Sequence, residues 1–149
     1  MIDIIVEIDP DLTGIDKQKS IHILTSTLKQ EQISNAKINL IFAKDNLLNK
    51  LKIEYFQKDH LTDVIAFRIN DYTDKEVEGE IYISLERAID NAKEYEEKVS
   101  KELARLIIHG TLHLLNYKDN TDKEKLTMTR LENKYLKNFN WSKIFKNYE

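Results

Sequence analysis

A chain of 149 residues fits one domain of ordinary size and is long enough to bury about 68–70 % of its unfolded surface without staples. Charged side chains make up 33 % of it and cysteine is absent, which excludes disulfides, thiolate-ligated zinc, iron–sulfur clusters and cysteine nucleophiles. The net charge of −3 is unevenly spread: residues 69–97 hold three basic and ten acidic side chains, residues 98–149 eleven basic and six acidic. A basic last third is compatible with a face for an anionic partner and equally with ordinary solvated helix surface. The three glycines, Gly14, Gly79 and Gly110, stand too far apart for a phosphate loop or a dinucleotide fingerprint. No apolar run approaches the length of a membrane span and the first residues do not resemble a leader, so a cytoplasmic protein with no membrane partner is expected.

Along the chain, Ile2–Ile8 alternates and predicts a strand, and 16–33 carries Ile21, Leu24 and Leu28 at helical spacing. Residues 37–43 predict a second strand and 46–57 a second helix. Val64–Asn70 and Glu80–Ser84 are rich in β-branched and aromatic residues, with the turn-forming stretch DYTDKEVEG between them, and predict a hairpin with a loose acidic loop. Three helices follow. Ser84 is placed to cap the first, whose face holds Leu85, Ala88, Ile89, Ala92 and Tyr95. Ser100 is expected to cap the second, Lys101–Leu115, and Thr121-Asp122-Lys123-Glu124 is a capping box for the third, ending near Lys137. The order β-α-β-α-β-β-α-α-α predicts a single α+β domain over residues 1–149, a small mixed four-stranded sheet with helices mainly on one face.

Chemistry concentrates in the second of those helices. His109 and His113 are four residues apart, so both imidazoles leave the same face and are able to converge on one ion. They sit among Leu103, Leu106, Ile107, Ile108, Leu112, Leu114 and Leu115, an apolar setting in which two histidines require polar partners or a metal. Gly110 costs about 1 kcal/mol of helix propensity relative to alanine, and close approach by either a ligand or a packed neighbour would account for it. Asn116 suits the left-handed position after a helix end; a turn there carries Asp119 back toward the histidines. Offsets of 0, 4 and 10 from His109 match the extended zincin spacing, whose third ligand follows a turn residue at offset 7. Two imidazoles and a carboxylate with one open position form a plausible catalytic zinc set. Zincin peptidases, however, place their general base directly after the first histidine, where this chain has Gly110.

The stretch I-H-G-T-L-H-L-L-N-Y-K-D (Ile108–Asp119) resembles the signature H-G-x-L-H-L-x-G-Y-D-H of the YbeY family, metal-dependent endoribonucleases of bacterial ribosomal RNA maturation. T-D-V-I-A-F (Thr62–Phe67) and G-E-I-Y-I-S (Gly79–Ser84) are similar to the family's T-D-V-L-S-F and G-D-I-x-I-S, and the resemblance covers nearly the whole chain. It implies one zinc ion per chain on His109, His113 and Asp119. It also implies hydrolysis of single-stranded RNA at the 3′ end of small-subunit ribosomal RNA, in maturation and quality control, with the ribosome or its small subunit and assembly factors as partners. The chain departs from the pattern at Asp119, where the family has a third histidine, at Asn116 for the turn glycine, and at Lys118, Ala66 and Arg68. The family's Y-R-G-K-D segment is Tyr55-Phe56-Gln57-Lys58-Asp59 here, without its arginine. A carboxylate at Asp119 makes the site one charge more negative than a third imidazole would.

Arg105, one turn before His109, is the remaining catalytic candidate: it is placed either to hold a phosphate oxygen or to pair with Glu102. Gly110 beside the ion is expected to leave room for a phosphate. Asp63 is expected to cap a turn, His22 and His60 to lie on the surface, and Trp141, Phe139, Phe145 and Tyr148 to form an aromatic cluster that packs on the core or stacks on bases. Two alternatives stay open, a zinc peptidase and a non-catalytic ribosome-assembly module with a structural metal.

Overall fold

The computed structural model describes residues 1–58 and 61–146; Asp59, His60 and Tyr148 lie outside them. Alternating apolar residues build β1 (Ile2–Ile8) and β2 (Ala36–Ala43), joined by α1 (Lys17–Gln30). The second crossover runs through α2 (Asp45–Phe56) and β3 (Val64–Arg68) to β4 (Val77–Ser84), and α3 (Leu85–Glu94), α4 (Val99–Leu114) and α5 (Asp122–Leu136) close the chain. The sheet order is β1-β2-β4-β3. Strands β1, β2 and β4 run parallel, and β3 lies antiparallel on the edge of β4, as the hairpin pattern predicts. Among the described residues no helix is long and apolar enough to cross a membrane.

Period-two alternation sends Ile38, Leu40 and Phe42 of β2 and Ile81 and Ile83 of β4 to one face, where they are fully buried with α1, α3, α4 and α5. The opposite face receives only α2, through Leu48 and Leu51 against Ile65, Phe67 and Tyr82. Helix α4 is the centre of the main core. Its Leu103, Leu106, Ile107, Ile108, Leu112 and Leu114 are all fully buried, because the sheet lies below it and α1, α3 and α5 flank it.

Three of the five helices, α1, α3 and α5, start at a side-chain cap. Asp16 accepts from the Lys19 amide at 3.0 Å, Ser84 Oγ from the Arg87 amide at 3.1 Å, and Thr121 and Glu124 form the reciprocal capping box. Ser100 does not cap α4, which begins at Val99 after an extended Lys98. Its hydroxyl instead donates to the Phe145 carbonyl at 3.2 Å and accepts the Phe145 amide at 3.1 Å, tying the C-terminal segment to the helix. That segment packs Phe139, Trp141 and Phe145 onto the core, so these three serve packing. Tyr95 is exposed since α3 stops at Glu94 and its periodicity stops with it. His22 is on the surface of α1.

Arg68 is a structural hub. Its guanidinium donates to the Leu114 carbonyl at the end of α4 at 2.8 Å and to the carbonyls of Asp71 and Glu76 at 3.0 Å each, while Nε reaches Asn70 Oδ1 at 2.6 Å. One side chain thus satisfies a helix-terminal carbonyl and gathers the acidic β3–β4 loop.

Gly110 answers to the sheet. A Cβ there would lie 2.6 Å from Ile81 Cγ2 and 3.3 Å from Val64 Cγ2. One residue is about 100° of helix rotation, so position 110 points down while 109 points sideways; it does not open space for a phosphate. Gly110→Ala should gain helix propensity of about 1 kcal/mol but overpack a rigid contact at roughly 1–3 kcal/mol. The expected result is a net loss of up to about 2 kcal/mol, measured as a lowered midpoint in denaturant with an unchanged slope.

Candidate metal centre

Helix α4 sets His109 and His113 one turn apart with ring centroids 4.6 Å from each other. After Leu114 the chain reverses at Asn116, which takes φ 73°, and the Asn116 and Tyr117 amides return to the His113 and Leu112 carbonyls at 3.0 and 3.1 Å, a left-handed helix stop. The reversal puts Asp119 Oδ2 at 3.3 Å from His109 Nε2 and 3.5 Å from His113 Nε2, and the two Nε2 atoms are 3.0 Å apart. The turn is anchored from outside: the Tyr117 hydroxyl donates to Glu31 Oε1 at 2.7 Å, and the Tyr135 hydroxyl donates to the same carboxylate. That hydrogen bond, with burial behind it, pushes the Tyr117 hydroxyl up to about 12.

The second nitrogen of each imidazole decides what the cluster is. His113 Nδ1 lies 2.9 Å from the Tyr117 carbonyl, which only accepts, so the proton sits on Nδ1 and Nε2 keeps its lone pair. His109 Nδ1 lies 2.5 Å from Glu132 Oε2 of α5, a carboxylate whose other oxygen takes the Arg105 guanidinium at 3.2 Å. The same tautomer follows. Three acceptors therefore face one point with no donor among them, an arrangement suited to a bound cation. Their separations of 3.0, 3.3 and 3.5 Å bracket the roughly 3.3 Å edge of a tetrahedron with arms of about 2.0–2.1 Å, the zinc–ligand length. The residues fit a zinc-like ion, and among the described residues this trio is the one such grouping.

Behind His109 runs a chain of buried charge. Glu102 and Glu132 are 3 % and 4 % exposed. Arg105 grips Glu102 with Nε at 2.8 Å and a terminal nitrogen at 2.7 Å, and Asn91 Nδ2 bridges Glu102 and Asp63 at 3.0 and 2.9 Å. Burial works against the Arg105 cation, but Glu102 and Glu132 outweigh it and its pKa is raised. Of the four residues singled out from sequence, the structure brings His109, His113 and Asp119 together. It sets Arg105 away from the cleft, paired with Glu102 and Glu132. Glu132 escaped the sequence reading, although its signal was present: Met128, Leu131, Glu132 and Tyr135 share one buried stripe of α5, and a carboxylate in such a stripe needs a partner.

The trio opens onto a cleft of about 360 Å³ between α2, β3 and the Asn116 turn. Lys52 and Lys118 enter it as cations, Asp63 as a carboxylate, and Phe56 and Tyr72 as half-exposed aromatics. Burial, then Lys58, holds the Lys52 ammonium below the ordinary lysine range, with Asp119 and Asp63 pulling the other way.

The family model for Endoribonuclease YbeY matches residues 11–140. A protein from Flavobacterium psychrophilum named Endoribonuclease YbeY is 39 % identical over 140 residues, covering 93 % of this chain and 96 % of its own. A protein of the same name from Amoebophilus asiaticus is 43 % identical over 111 residues, 74 % of this chain and 75 % of its own. The solution structure of TM1509 from Thermotoga maritima superposes with a TM-score of 0.60 at 25 % identity, over 90 % of this chain and 87 % of that one. Fold and relatives thus define the class as endoribonucleases, hydrolases of RNA. The chain belongs to the YbeY family.

Burial, reinforced by the neighbouring His109, lowers the His113 pKa from 6.5. The unfolded chain then takes up a proton that the folded one refuses, so this histidine's contribution to stability is present above about 6.5 and is lost as pH falls through the folded value. Imidazole NMR of metal-free protein should show His113 more than half neutral at pH 6.5, and denaturation midpoints should drop on acidification below it. A His113 resonance titrating above 6.5 would contradict the burial argument.

Proposed function

We propose that this protein is a metal-dependent endoribonuclease that cuts single-stranded RNA, with zinc held by His109, His113 and Asp119. The observation that carries the reading is the convergence of three acceptor atoms whose outer partners, Glu132 and the Tyr117 carbonyl, leave both Nε2 lone pairs aimed at one point. Three protein ligands leave a coordination position free, the mark of a catalytic rather than a closed structural site. A divalent ion there supplies Lewis acidity to a phosphodiester oxygen and to the attacking water.

The chain's own residues do the rest. Glu132 and the Tyr117 carbonyl hold the Nδ1 protons and fix both ring orientations. Arg105 keeps Glu132 in place from the far side, a positioning role and not a contact with RNA. Asp119 makes the site less positive than three imidazoles would, which raises the importance of other cations for an anionic substrate. Nothing follows His109 to act as a peptidase base, since Gly110 has no side chain and packs on Ile81. Placement of the activity in 3′-end maturation of small-subunit ribosomal RNA and ribosome quality control, in the cytoplasm and with assembly factors, is supported by the family relationship and by the basic last third of the chain.

Purified protein should cut a labelled single strand faster than the same sequence in a duplex, and a chelator should stop it until zinc is restored. Alanine at His109, His113 or Asp119 should remove most bound zinc; full occupancy in Asp119→Ala would show the third ligand to be another group. Glu132→Ala should weaken zinc binding by about 10- to 100-fold. Glu132→Gln, which still accepts from His109 Nδ1, should retain more of it; equal losses in titration calorimetry would mean that charge, and not orientation, is what Glu132 provides.

A further inference from the structure

Among the described residues, Lys52 is the cleft cation that is partly buried and makes no ion pair or hydrogen bond. It stands at the middle of α2 and points into the space that His109, His113 and Asp119 also line. Among the described residues its ammonium takes part in no hydrogen bond or ion pair. Its Nζ rests instead over the ring of Phe56, one turn on, 4.7 Å from the centroid. Phe56 is itself braced by Phe67, its ring 5.8 Å away and inclined by only 22°, and Phe67 belongs to β3. A strand therefore holds an aromatic, and the aromatic holds a cation, at the mouth of the metal centre.

An aromatic face orients an ammonium without neutralising it. A carboxylate in the same place would have cancelled the charge. The other cation of the cleft, Lys118, is exposed, so solvent screens it. Of the two carboxylates in the cleft, Asp119 belongs to the acceptor trio and Asp63 takes the Asn91 amide. Among the described residues no carboxylate is bonded to Lys52, though Asp119 and Asp63 act on it from a distance, and its surroundings are drier than bulk water, where a phosphate would bind it more strongly than at the open surface.

We propose that Lys52 is a substrate-binding residue that holds a backbone phosphate of single-stranded RNA beside the metal centre, and that Phe56 is its positioning residue. The inference rests on the endoribonuclease reading. It makes the contact independent of base identity, because a backbone phosphate carries no sequence information.

The test uses the full chain, zinc-loaded, and a fluorescent single-stranded RNA dodecamer, with binding read by anisotropy within the time in which a gel shows the RNA still intact. Lys52→Met keeps the stem over Phe56 and removes the charge. It should raise Kd about tenfold or more, as for loss of a charge-assisted hydrogen bond, equally for two unrelated sequences. The slope of log K against log salt should become shallower by about 0.7, one phosphate on a single strand. Lys52→Arg should restore both. Phe56→Leu should weaken binding while leaving the slope near that of the parent, since the cation is kept and only its placement is lost. Lys50→Met, an exposed charge on the same helix, serves as control and should change little. An unchanged Kd and slope in Lys52→Met, or an equal loss in Lys50→Met, would overturn the proposal while leaving the nuclease reading intact. A parent protein that neither binds nor cuts this RNA would overturn both.

Discussion

The close seat of α4 on the sheet is the constraint on which the rest depends. Gly110 lets the helix backbone approach Ile81 and Val64 to the point where even a methyl group would collide, and Gly79 repeats the arrangement beneath Leu114. With the helix that low, its buried residues fill the main core, and its two histidines emerge at the rim between the sheet edge and α5. A higher seat would lift both rings away from Glu132 and from the turn that carries Asp119. The cost of glycine inside a helix is repaid by dense contact along the whole of α4.

Polar groups in so apolar a helix have to be satisfied locally, and the way this is achieved prepares the site. Each imidazole gives one nitrogen to the protein and turns the other outward. On one side the acceptor is a peptide carbonyl fixed by the left-handed Asn116. On the other it is a buried carboxylate, itself answered by Arg105, Glu102 and Asn91. The network reaches from α5 through α4 to α3 and ends at Asp63 on the approach to β3, so helix packing and imidazole orientation are parts of one arrangement. Arg68 joins the sheet edge to the end of the same helix, and the Glu31 carboxylate pins the turn from α1. Four elements besides α4 therefore contribute to holding three acceptor atoms within hydrogen-bonding reach of one another.

The cleft beyond them carries a division of labour in charge. Asp119 lowers the positive character of the centre, while Lys52 and Lys118 supply cations at its border. Lys52 is the more constrained of the two because an aromatic residue, not an acid, sets its position. Such a pairing keeps a charge available for an incoming anion and limits the conformational freedom that binding would otherwise have to remove.

Much of this was legible in the amino-acid sequence because it is written in local pattern. Alternation and helical spacing gave the nine elements in order, the capping box marked the start of α5, and the 0, 4, 10 spacing with Asn116 at the turn singled out the three residues that meet. These signals depend on neighbours within a few positions, where backbone geometry is nearly universal. What only the tertiary structure decided is longer in range. Gly110 faces the sheet and not the ligand space, because helix rotation assigns it to the packing side. Ser100 bonds a segment 45 residues away instead of capping its own helix. Arg105 is taken by carboxylates of two helices, one of them Glu132, whose partner His109 is 23 residues distant. Lys52 becomes a cleft residue only because α2 folds across the far end of β3. Periodicity states which side of an element is apolar; which element that side meets, and which charges are left without a partner, is decided when the layers pack.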